Sequence, residues 1–324
     1  MSETYLVTGA LGCIGAWVLK HLVDRDVRVV AGDLSTEPVR PRLIMSDEEI
    51  TAVDWQVLDI TDTKAVADLV GRKGITRIVH LAGLQVPFCR ANPPLGAAVN
   101  VTGTVNIFEA ARTHGVQGLA YASSLAALGP ASDYDTWPLR DEAVPKPRTL
   151  YGAYKVANEQ TAGVYAADWG LGSVGLRPAV VYGVGRDQGM TADFAKAVLA
   201  AVAGRPFHIR TGGLIPMQYA SDVARMFIGC ADAGVTDARV CNMRNDVIRV
   251  EDFVEKVRAT IPGAEITFEE EVEFPFPADL SDAGLQRVLG EVPHTPLDVA
   301  LREDAKRFSA LLERGQIDLE QLEV

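Results

Sequence analysis

A tyrosine and a lysine, one helical turn apart, are the residues of this sequence best suited to acid–base chemistry. The segment 151–155 reads Tyr-Gly-Ala-Tyr-Lys and opens a predicted helix, so Tyr151 and Lys155 lie on one helix face. A free phenol titrates at about pH 10 and is a poor base at neutral pH, whereas a neighbouring ammonium group favours the phenolate. The pair predicts a tyrosine of lowered pKa that exchanges a proton with a substrate hydroxyl group.

Two adjacent serines, Ser123 and Ser124, follow a predicted strand that ends at Ala122. A side chain at the carboxyl end of a parallel strand points into the crevice where such sheets bind their ligands. A serine hydroxyl in that position could hold the substrate oxygen that Tyr151 deprotonates. The serines and the tyrosine together predict a site for an alcohol.

A glycine-rich turn near the start of the chain predicts a dinucleotide site. Residues 8–15 read Thr-Gly-Ala-Leu-Gly-Cys-Ile-Gly between an apolar strand and a helix. The first glycine makes a tight turn, the second lets the backbone approach a pyrophosphate, and the third lets the helix pack on the strand. The phosphates then meet free N–H groups at the helix N-terminus. The predicted phosphate-binding residues are Gly9, Gly12, Cys13, Ile14 and Gly15.

The second predicted strand ends at Asp33, where a carboxylate accepts hydrogen bonds from both hydroxyl groups of an adenosine ribose. A 2′-phosphate would be repelled by that charge, and no arginine follows before Arg40, so NAD is favoured over NADP as the cofactor. Asp59 and Ile60, after the third strand, are predicted to flank the adenine, and Asp59 could also cap the next helix. NAD beside a basic tyrosine predicts hydride transfer to or from a secondary alcohol carbon.

Short apolar runs alternate with amphipathic segments of helical length, which indicates a parallel sheet covered on both faces. The predicted strands are Tyr5–Thr8, Val27–Gly32, Asp54–Leu58, Arg77–Ala82, Leu119–Ala122 and Ser173–Leu176. The predicted helices are Cys13–Val23, Thr63–Arg72, Leu95–Thr113, Tyr151–Trp169, Val250–Ile261 and Leu297–Leu312. We predict an α/β fold with a Rossmann doubly wound parallel sheet and a smaller C-terminal α/β substrate domain. The predicted domains are 1–178 plus 218–245 for NAD binding, and 179–217 plus 246–324 for substrate binding.

The chain of 324 residues is acidic, with a formal net charge of −12 and a pI of about 4.9. Such a protein would repel nucleic acids and anionic membranes, so neither is an expected partner. No apolar run is long enough to span a bilayer, and the first residues lack the basic segment of a signal peptide. The four cysteines have neither close nor metal-like spacing. We therefore expect reduced thiols, no metal site and a cytoplasmic location.

Five motifs occur in one order: the glycine turn at 8–15, His-Leu-Ala-Gly at 80–83, Asn-Val-x-Gly-Thr-x-Asn at 100–106, Ser-Ser at 123–124 and Tyr-x-x-x-Lys at 151–155. Over roughly residues 4–225 this order resembles the extended short-chain dehydrogenase/reductase family, in its sugar epimerase and dehydratase branch. The resemblance implies that Tyr151 is the acid–base residue and that Lys155 tunes it and binds the nicotinamide ribose. It further implies that Ser124 orients the substrate hydroxyl and that Asn100 shapes the site and its proton relay. The cofactor contacts implied by the second motif are Leu81, Ala82 and Gly83.

The same resemblance implies a homodimer, in which the helices Leu95–Thr113 and Tyr151–Trp169 pair with their copies. Both helices carry more apolar residues than one buried face requires. These include Val101, Val105, Phe108, Val156 and Val164.

Two departures from the family pattern narrow the predicted reaction. Related dehydratases carry an acidic residue just after the catalytic Ser or Thr, but Leu125 and Ala126 stand here, which argues against water loss. Related nucleotide-sugar epimerases have Arg-x-x-Asn after the sixth strand, but this chain has Arg177-Pro-Ala-Val. We therefore predict a dehydrogenase acting on a sugar or sugar acid. A sugar or nucleotide-sugar epimerase is the alternative, and an NAD-binding sensor without turnover is a minor one.

Three arginines lie in segments expected to line the pocket as loops, Pro87–Arg90, Tyr182–Met190 and Phe207–Gln218. Arg90, Arg186 and Arg210 each offer a planar guanidinium suited to a carboxylate or phosphate. They predict contacts to a sugar-like substrate that carries a negative charge. The alternative is that each arginine pairs with a surface acid, as Arg186 could with Asp187.

Overall fold

The computed structural model describes residues 3–189 and 191–322. Its strands are β1 (Thr4–Thr8), β2 (Arg28–Asp33), β3 (Asp54–Val57), β4 (Arg77–His80), β5 (Gly118–Ala122), β6 (Ser173–Arg177), β7 (Val180–Tyr182), β8 (Phe207–Ile209), β9 (Leu214–Tyr219), β10 (Ala238–Asn242), β11 (Asp246–Arg249) and β12 (Ile266–Phe268). Its α-helices are α1 (Cys13–Asp24), α2 (Asp47–Thr51), α3 (Thr63–Lys73), α4 (Val86–Ala91), α5 (Pro93–Ala97), α6 (Gly103–His114), α7 (Leu150–Trp169), α8 (Asp193–Val202), α9 (Ala220–Asp232), α10 (Val250–Thr260), α11 (Ala283–Leu289) and α12 (Leu297–Glu313).

One parallel sheet organises the fold, with the strand order β10-β6-β5-β4-β1-β2-β3. Every residue of β1 is buried, as expected for a strand covered on both faces. Tyr5 and Val7 pack in one hydrophobic cluster with α1 and α9, whereas Leu6 packs in another with α3, α6 and α7. The predicted Rossmann doubly wound sheet is therefore confirmed. The strand β10 adds a member that the apolar pattern did not predict, because two of its five residues, Arg239 and Asn242, are polar.

Prolines mark two places where the structure differs from the predicted elements. The segment Pro87–Arg90, predicted as a loop, belongs to α4, and the helix predicted to begin at Leu95 begins at Pro93. Proline fits the first turn of a helix, where its missing N–H is not needed, and Asn92 caps α5 by accepting a hydrogen bond from the amide of Leu95 (3.2 Å). A π-helical stretch, Ala98–Thr102, then leads into α6.

Two smaller sheets lie beyond the large one. The strands β7 and β11 flank β9, and β8 pairs with β12. The segment Phe207–Gln218, predicted as a pocket loop, thus consists largely of β8 and β9. The large sheet uses only strands from the predicted NAD-binding segments, and the small sheets use the predicted substrate segments apart from the end of β9. The division into two domains stays a prediction.

No helix within residues 3–189 and 191–322 is long and apolar enough to cross a membrane.

Candidate active site

The carboxyl ends of the strands β1 to β6 open into a cavity of about 1060 Å³, whose wall also includes the start of α7. Ligands of doubly wound sheets bind at this edge. The predicted site residues that line the cavity are Gly9, Gly12, Cys13, Ile14, Gly15, Asp33, Asp59, Ile60, Leu81, Ala82, Gly83, Ser124, Tyr151, Lys155, Arg186 and Arg210. Asn100 and Arg90 lie outside this lining. The structure thus brings most of the predicted cofactor and catalytic groups to one site.

The glycines of the turn at 8–15 line the cavity, and other backbone atoms lie so close to two of them that a side chain would not fit. Gly9 has a φ of +68°, and a Cβ there would lie 2.6 Å from the amide nitrogen of Ala82. A Cβ on Gly15 would lie 2.2 Å from the carbonyl oxygen of Gly9. The first N–H groups of α1, at Cys13 and Ile14, have no partner within the helix. This cradle fits the pyrophosphate of a dinucleotide.

The carboxylate of Asp33 is held at the end of β2 by the backbone N–H groups of Leu11 (2.9 Å) and Leu34 (2.8 Å). A carboxylate has lone pairs left over for the ribose hydroxyl groups. Arg40 also reaches this part of the cavity, where its Nη1 donates to the carbonyl oxygen of Leu11 (3.1 Å). Sequence reasoning excluded Arg40 because of its distance along the chain. Its charge is matched by an ion pair with Asp187 (2.9 Å), so it is not a free cation for a 2′-phosphate.

Ser124, Tyr151 and Lys155 meet at the cavity wall. Ser124 lies close enough to Tyr151 for its hydroxyl group to act on the pKa of the phenol. The ammonium group of Lys155 lies 5.5 Å from the centre of the Tyr151 ring and donates to the carbonyl oxygen of Ala122 (2.6 Å). Burial lowers the pKa of Lys155 to about 8. The arrangement can hold a hydroxyl oxygen between Ser124 and Tyr151 while Lys155 places a positive charge behind the ring.

The pKa of Tyr151 is raised in this structure, because removal of the phenol from water disfavours the phenolate. The hydroxyl group of Ser124 and the positive charge of Arg186 act in the opposite direction. Lys155 is not among the groups that lower this pKa in the protein alone, so the expectation that it does so beside the nicotinamide stays a prediction. When bound, the oxidised nicotinamide supplies a further positive charge and accepts a hydride.

A buried ion pair anchors the strand end that carries Ser124. The hydroxyl group of Ser123 donates to Glu159, which lies one turn after Lys155 on α7. Arg177 of β6 donates to both carboxylate oxygens of Glu159 at 2.8 Å, and the two side chains are 3% and 4% exposed. Ser123 is therefore a structural residue, and Ser124 is the serine that faces Tyr151. Sequence reasoning missed Glu159, although its position, four residues after Lys155, could have indicated the same helix face.

Asn100 is buried behind the cavity wall in the π-helical stretch. Its Nδ2 donates to the carbonyl oxygens of Leu84 (3.2 Å) and Gly96 (3.0 Å), while its Oδ1 has no hydrogen-bond partner among the described residues. A Cβ on Gly83 would lie 2.7 Å from that oxygen and 3.6 Å from the nitrogen of Lys155. The side chains of Asn100 and Lys155 therefore both pack against Gly83, where a larger residue would not fit.

Two of the three arginines predicted to contact substrate have other surroundings. Arg90 is an exposed residue of α4 outside the cavity lining, so its placement in the pocket is wrong. Arg210 lines the cavity, but its guanidinium forms two hydrogen bonds to the carboxylate of Asp193, at 2.9 and 2.7 Å. Neither arginine offers a free charge to the cavity.

Arg186 differs from the other two. It lines the cavity, and its Nη2 donates to the hydroxyl oxygen of Thr191 (3.1 Å). Asp187, the surface acid that could have paired with it, pairs with Arg40 instead. Met190, the last residue of the predicted pocket loop, lies outside the described residues.

The sheet, the glycine turn and the Tyr151–Lys155 pair define an NAD-dependent enzyme of hydride transfer. The model of the NAD-dependent epimerase/dehydratase family matches residues 5–242. The chain belongs to this family, and the resemblance to extended short-chain dehydrogenases/reductases is confirmed.

Three similar proteins illustrate the range of the family. A mitochondrial L-threonine 3-dehydrogenase from Sus scrofa is 29% identical over 272 residues, which cover 81% of this chain and 70% of the relative. The structure of UDP-glucose 4-epimerase from Thermotoga maritima with UDP-glucose has a TM-score of 0.82 at 21% identity. The match covers 96% of this chain and 100% of the epimerase chain. A monomeric L-threonine 3-dehydrogenase from a metagenome also has a TM-score of 0.82 at 21% identity, covering 95% of this chain and 99% of its own. The protein is thus an NAD-dependent oxidoreductase or epimerase.

Proposed function

We propose that the protein is a dehydrogenase that oxidises a secondary alcohol of a sugar or sugar acid with NAD. The observation that carries the proposal is the proximity of Ser124 and Tyr151 at the wall of the cavity into which the glycine turn opens. Ser124 would hold the hydroxyl oxygen and the phenolate form of Tyr151, favoured by the positive charge that bound oxidised nicotinamide would supply, would take its proton, while the carbon would give its hydride to that nicotinamide. The products are a ketone, NADH and one proton.

The surroundings of Ser124 support oxidation over dehydration. Leu125 and Ala126 are buried apolar residues, and no acid follows the serine that could protonate a leaving hydroxyl group. An epimerase would use the same residues but keep the NADH and return the hydride to the other face of the ketone. The dehydrogenase is favoured because the curated relative with 29% identity is a dehydrogenase, whereas the epimerase structure at 21% supports only the fold.

The test is a substrate screen with the purified protein and NAD. The panel contains neutral sugars, sugar acids, UDP-glucose and L-threonine, and both NADH absorbance and stereoisomers of each compound are followed. Net NADH formation supports the dehydrogenase, and isomer formation without net NADH supports the epimerase. Tyr151→Phe should abolish either reaction, whereas Tyr154→Phe, on the same helix but outside the cavity lining, should not. NAD binding without either reaction would contradict the proposal and favour the sensor.

We also propose a homodimer formed through α6 and α7 in the cytoplasm. Val164 is 51% exposed on α7, but Phe108 is fully buried against Tyr121 and Tyr165, so it cannot contribute to an interface. The fold does not require a dimer, because the metagenomic threonine dehydrogenase is monomeric. Sedimentation at micromolar concentration tests the assembly, and a monomer there would contradict it.

A further inference from the structure

We propose that Arg186 binds a carboxylate group of the substrate next to the alcohol that is oxidised, so that the enzyme acts on a hydroxy acid. This inference rests on the proposed function and names the substrate class for the same cavity. The oxidised carbon gives its hydride to NAD and its hydroxyl proton to Tyr151, while the carboxylate stays unchanged as the group that is recognised.

Among the described residues, Arg186 differs from the other arginines at the cavity in having no acidic partner. Arg210 is neutralised by Asp193, and Arg40 is neutralised by Asp187. Arg186 forms no salt bridge to any acid in the described part of the chain. Its Nε is buried and has no hydrogen-bond partner there. A buried guanidinium donor without an acceptor costs free energy that a bound anion would recover.

The guanidinium of Arg186 lies at the cavity wall beside another polar side chain, Gln85. Arg186 lines the same cavity as Tyr151 and Cys13, and its positive charge opposes the rise in pKa that burial causes in both of those groups. A Cβ on Gly189 would lie 3.1 Å from Nη2 of Arg186 and 2.5 Å from Oε1 of Gln85. Gln85 therefore lies beside the guanidinium, and the side chains of Arg186 and Gln85 together form a polar corner of the cavity. Arg186, Gln85 and Tyr151 line one cavity, so a single substrate can contact the guanidinium and the phenol together.

The cofactor pyrophosphate is the other anion that could approach this corner. The glycine turn and the N-terminus of α1 already provide donors for the pyrophosphate. The guanidinium fork of Arg186 can bind either a carboxylate or a phosphate through two parallel N–H groups, so the donors already present for the pyrophosphate decide the assignment. We therefore assign Arg186 to the substrate, and the experiment separates the two anions.

The experiment compares wild type with Arg186→Gln, Arg186→Lys and the control Arg90→Gln, which lies outside the cavity lining. Glucuronate and gluconate are assayed against glucose and glucitol, and the Kd for NAD is measured by titration. For the acids, kcat/KM should exceed that for the neutral parents by about 10- to 150-fold, the effect of one charge-assisted contact. Arg186→Gln should remove that preference, Arg186→Lys should keep part of it, and Arg90→Gln should keep it all. The Kd for NAD should change less than about threefold in every variant.

Two results would overturn the inference. If the acids show no advantage in wild type, or keep it in Arg186→Gln, the guanidinium does not recognise a carboxylate. If Arg186→Gln weakens NAD binding about tenfold or more and affects acids and neutral compounds equally, Arg186 serves the cofactor. If wild type oxidises none of the compounds, the result contradicts the proposed dehydrogenase function and does not test the role of Arg186. The anion site is then judged by binding of glucuronate to the NADH complex, which needs no turnover and must be lost in Arg186→Gln.

Discussion

Asp304 is a carboxyl group that the fold encloses completely. It lies on α12 and is 0% exposed, and its Oδ1 accepts hydrogen bonds from the amide of Val184 (3.4 Å) and the hydroxyl of Tyr219 (3.3 Å). Its Oδ2 has no partner among the described residues. Burial raises the pKa of Asp304 from its ordinary 3.8 to about 7, although the nearby cation Arg307 acts in the opposite direction. We predict that this one residue makes stability depend on pH between about 4 and 7.

The sign follows from proton binding. Because the pKa of Asp304 is higher in the folded chain than in the unfolded chain, the folded state holds the proton more tightly. Its contribution to stability is fully present below about pH 4 and is lost as the pH rises to about 7. The difference between 3.8 and about 7 corresponds to about 4 kcal/mol, since each pH unit is worth about 1.4 kcal/mol.

The substitution Asp304→Asn tests this, because the amide keeps an acceptor oxygen but cannot ionise. Relative to wild type, the free energy of unfolding of the variant should rise by about 2.5 kcal/mol between pH 5 and pH 8, part of the penalty being incurred already below pH 5. Urea unfolding at the two pH values measures it. Asp298→Asn, an exposed change on the same helix, is the control and should show little pH-dependent difference. A difference between Asp304→Asn and wild type that is equal at pH 5 and pH 8 would refute the reasoning.

Three further predictions concern the site. Tyr151→Phe should lower turnover by about 100-fold or more while the Kd for NAD stays nearly unchanged, and near-normal turnover would show that another group moves the proton. Asp33 should make NAD bind at least about tenfold more tightly than NADP in titrations, and equal affinities would contradict its role. Glu159→Gln should lower the free energy of unfolding by about 3–5 kcal/mol, because it leaves Arg177 buried without a counter-charge. A loss below about 1 kcal/mol in urea unfolding would show that the pair is not needed for the fold.

The parts of the fold that could be predicted are those that depend on local sequence. Apolar runs and helical segments follow one another closely enough that the strands of the sheet and its main helices were expected in the right order. The residues Gly9, Tyr151 and Lys155 were identifiable because each stands at a fixed place relative to a strand end or helix start. Their meeting in one cavity follows from parallel topology, in which all strand ends reach the same edge.

What could not be predicted depends on partners that are distant in the chain. Arg40 and Asp187 are separated by 147 residues in the sequence. Because Asp187 pairs with Arg40, it does not pair with the adjacent Arg186. Glu159 meets Arg177 from a neighbouring strand, and neither residue has a local pattern that indicates burial. Spacing along the chain carries no information about such contacts, so the sequence left three arginines as equal candidates for the substrate anion.

The loop after β7 shows why those distant contacts matter for function. The indole nitrogen of Trp17 donates to the carbonyl oxygen of Val184 (3.0 Å), while Asp304 accepts from the amide of the same residue. On the other side of Arg186, Asp187 is held by Arg40. Contacts from three separate parts of the chain therefore anchor the loop on both flanks of Arg186, while its own guanidinium forms no ion pair in the described structure. A group whose surroundings are held in place by other residues binds its ligand at a lower cost in conformational entropy. The loop thus combines anchored flanks with a guanidinium that has no ion pair in the described structure, which is the arrangement that a binding residue needs and that a surface arginine does not.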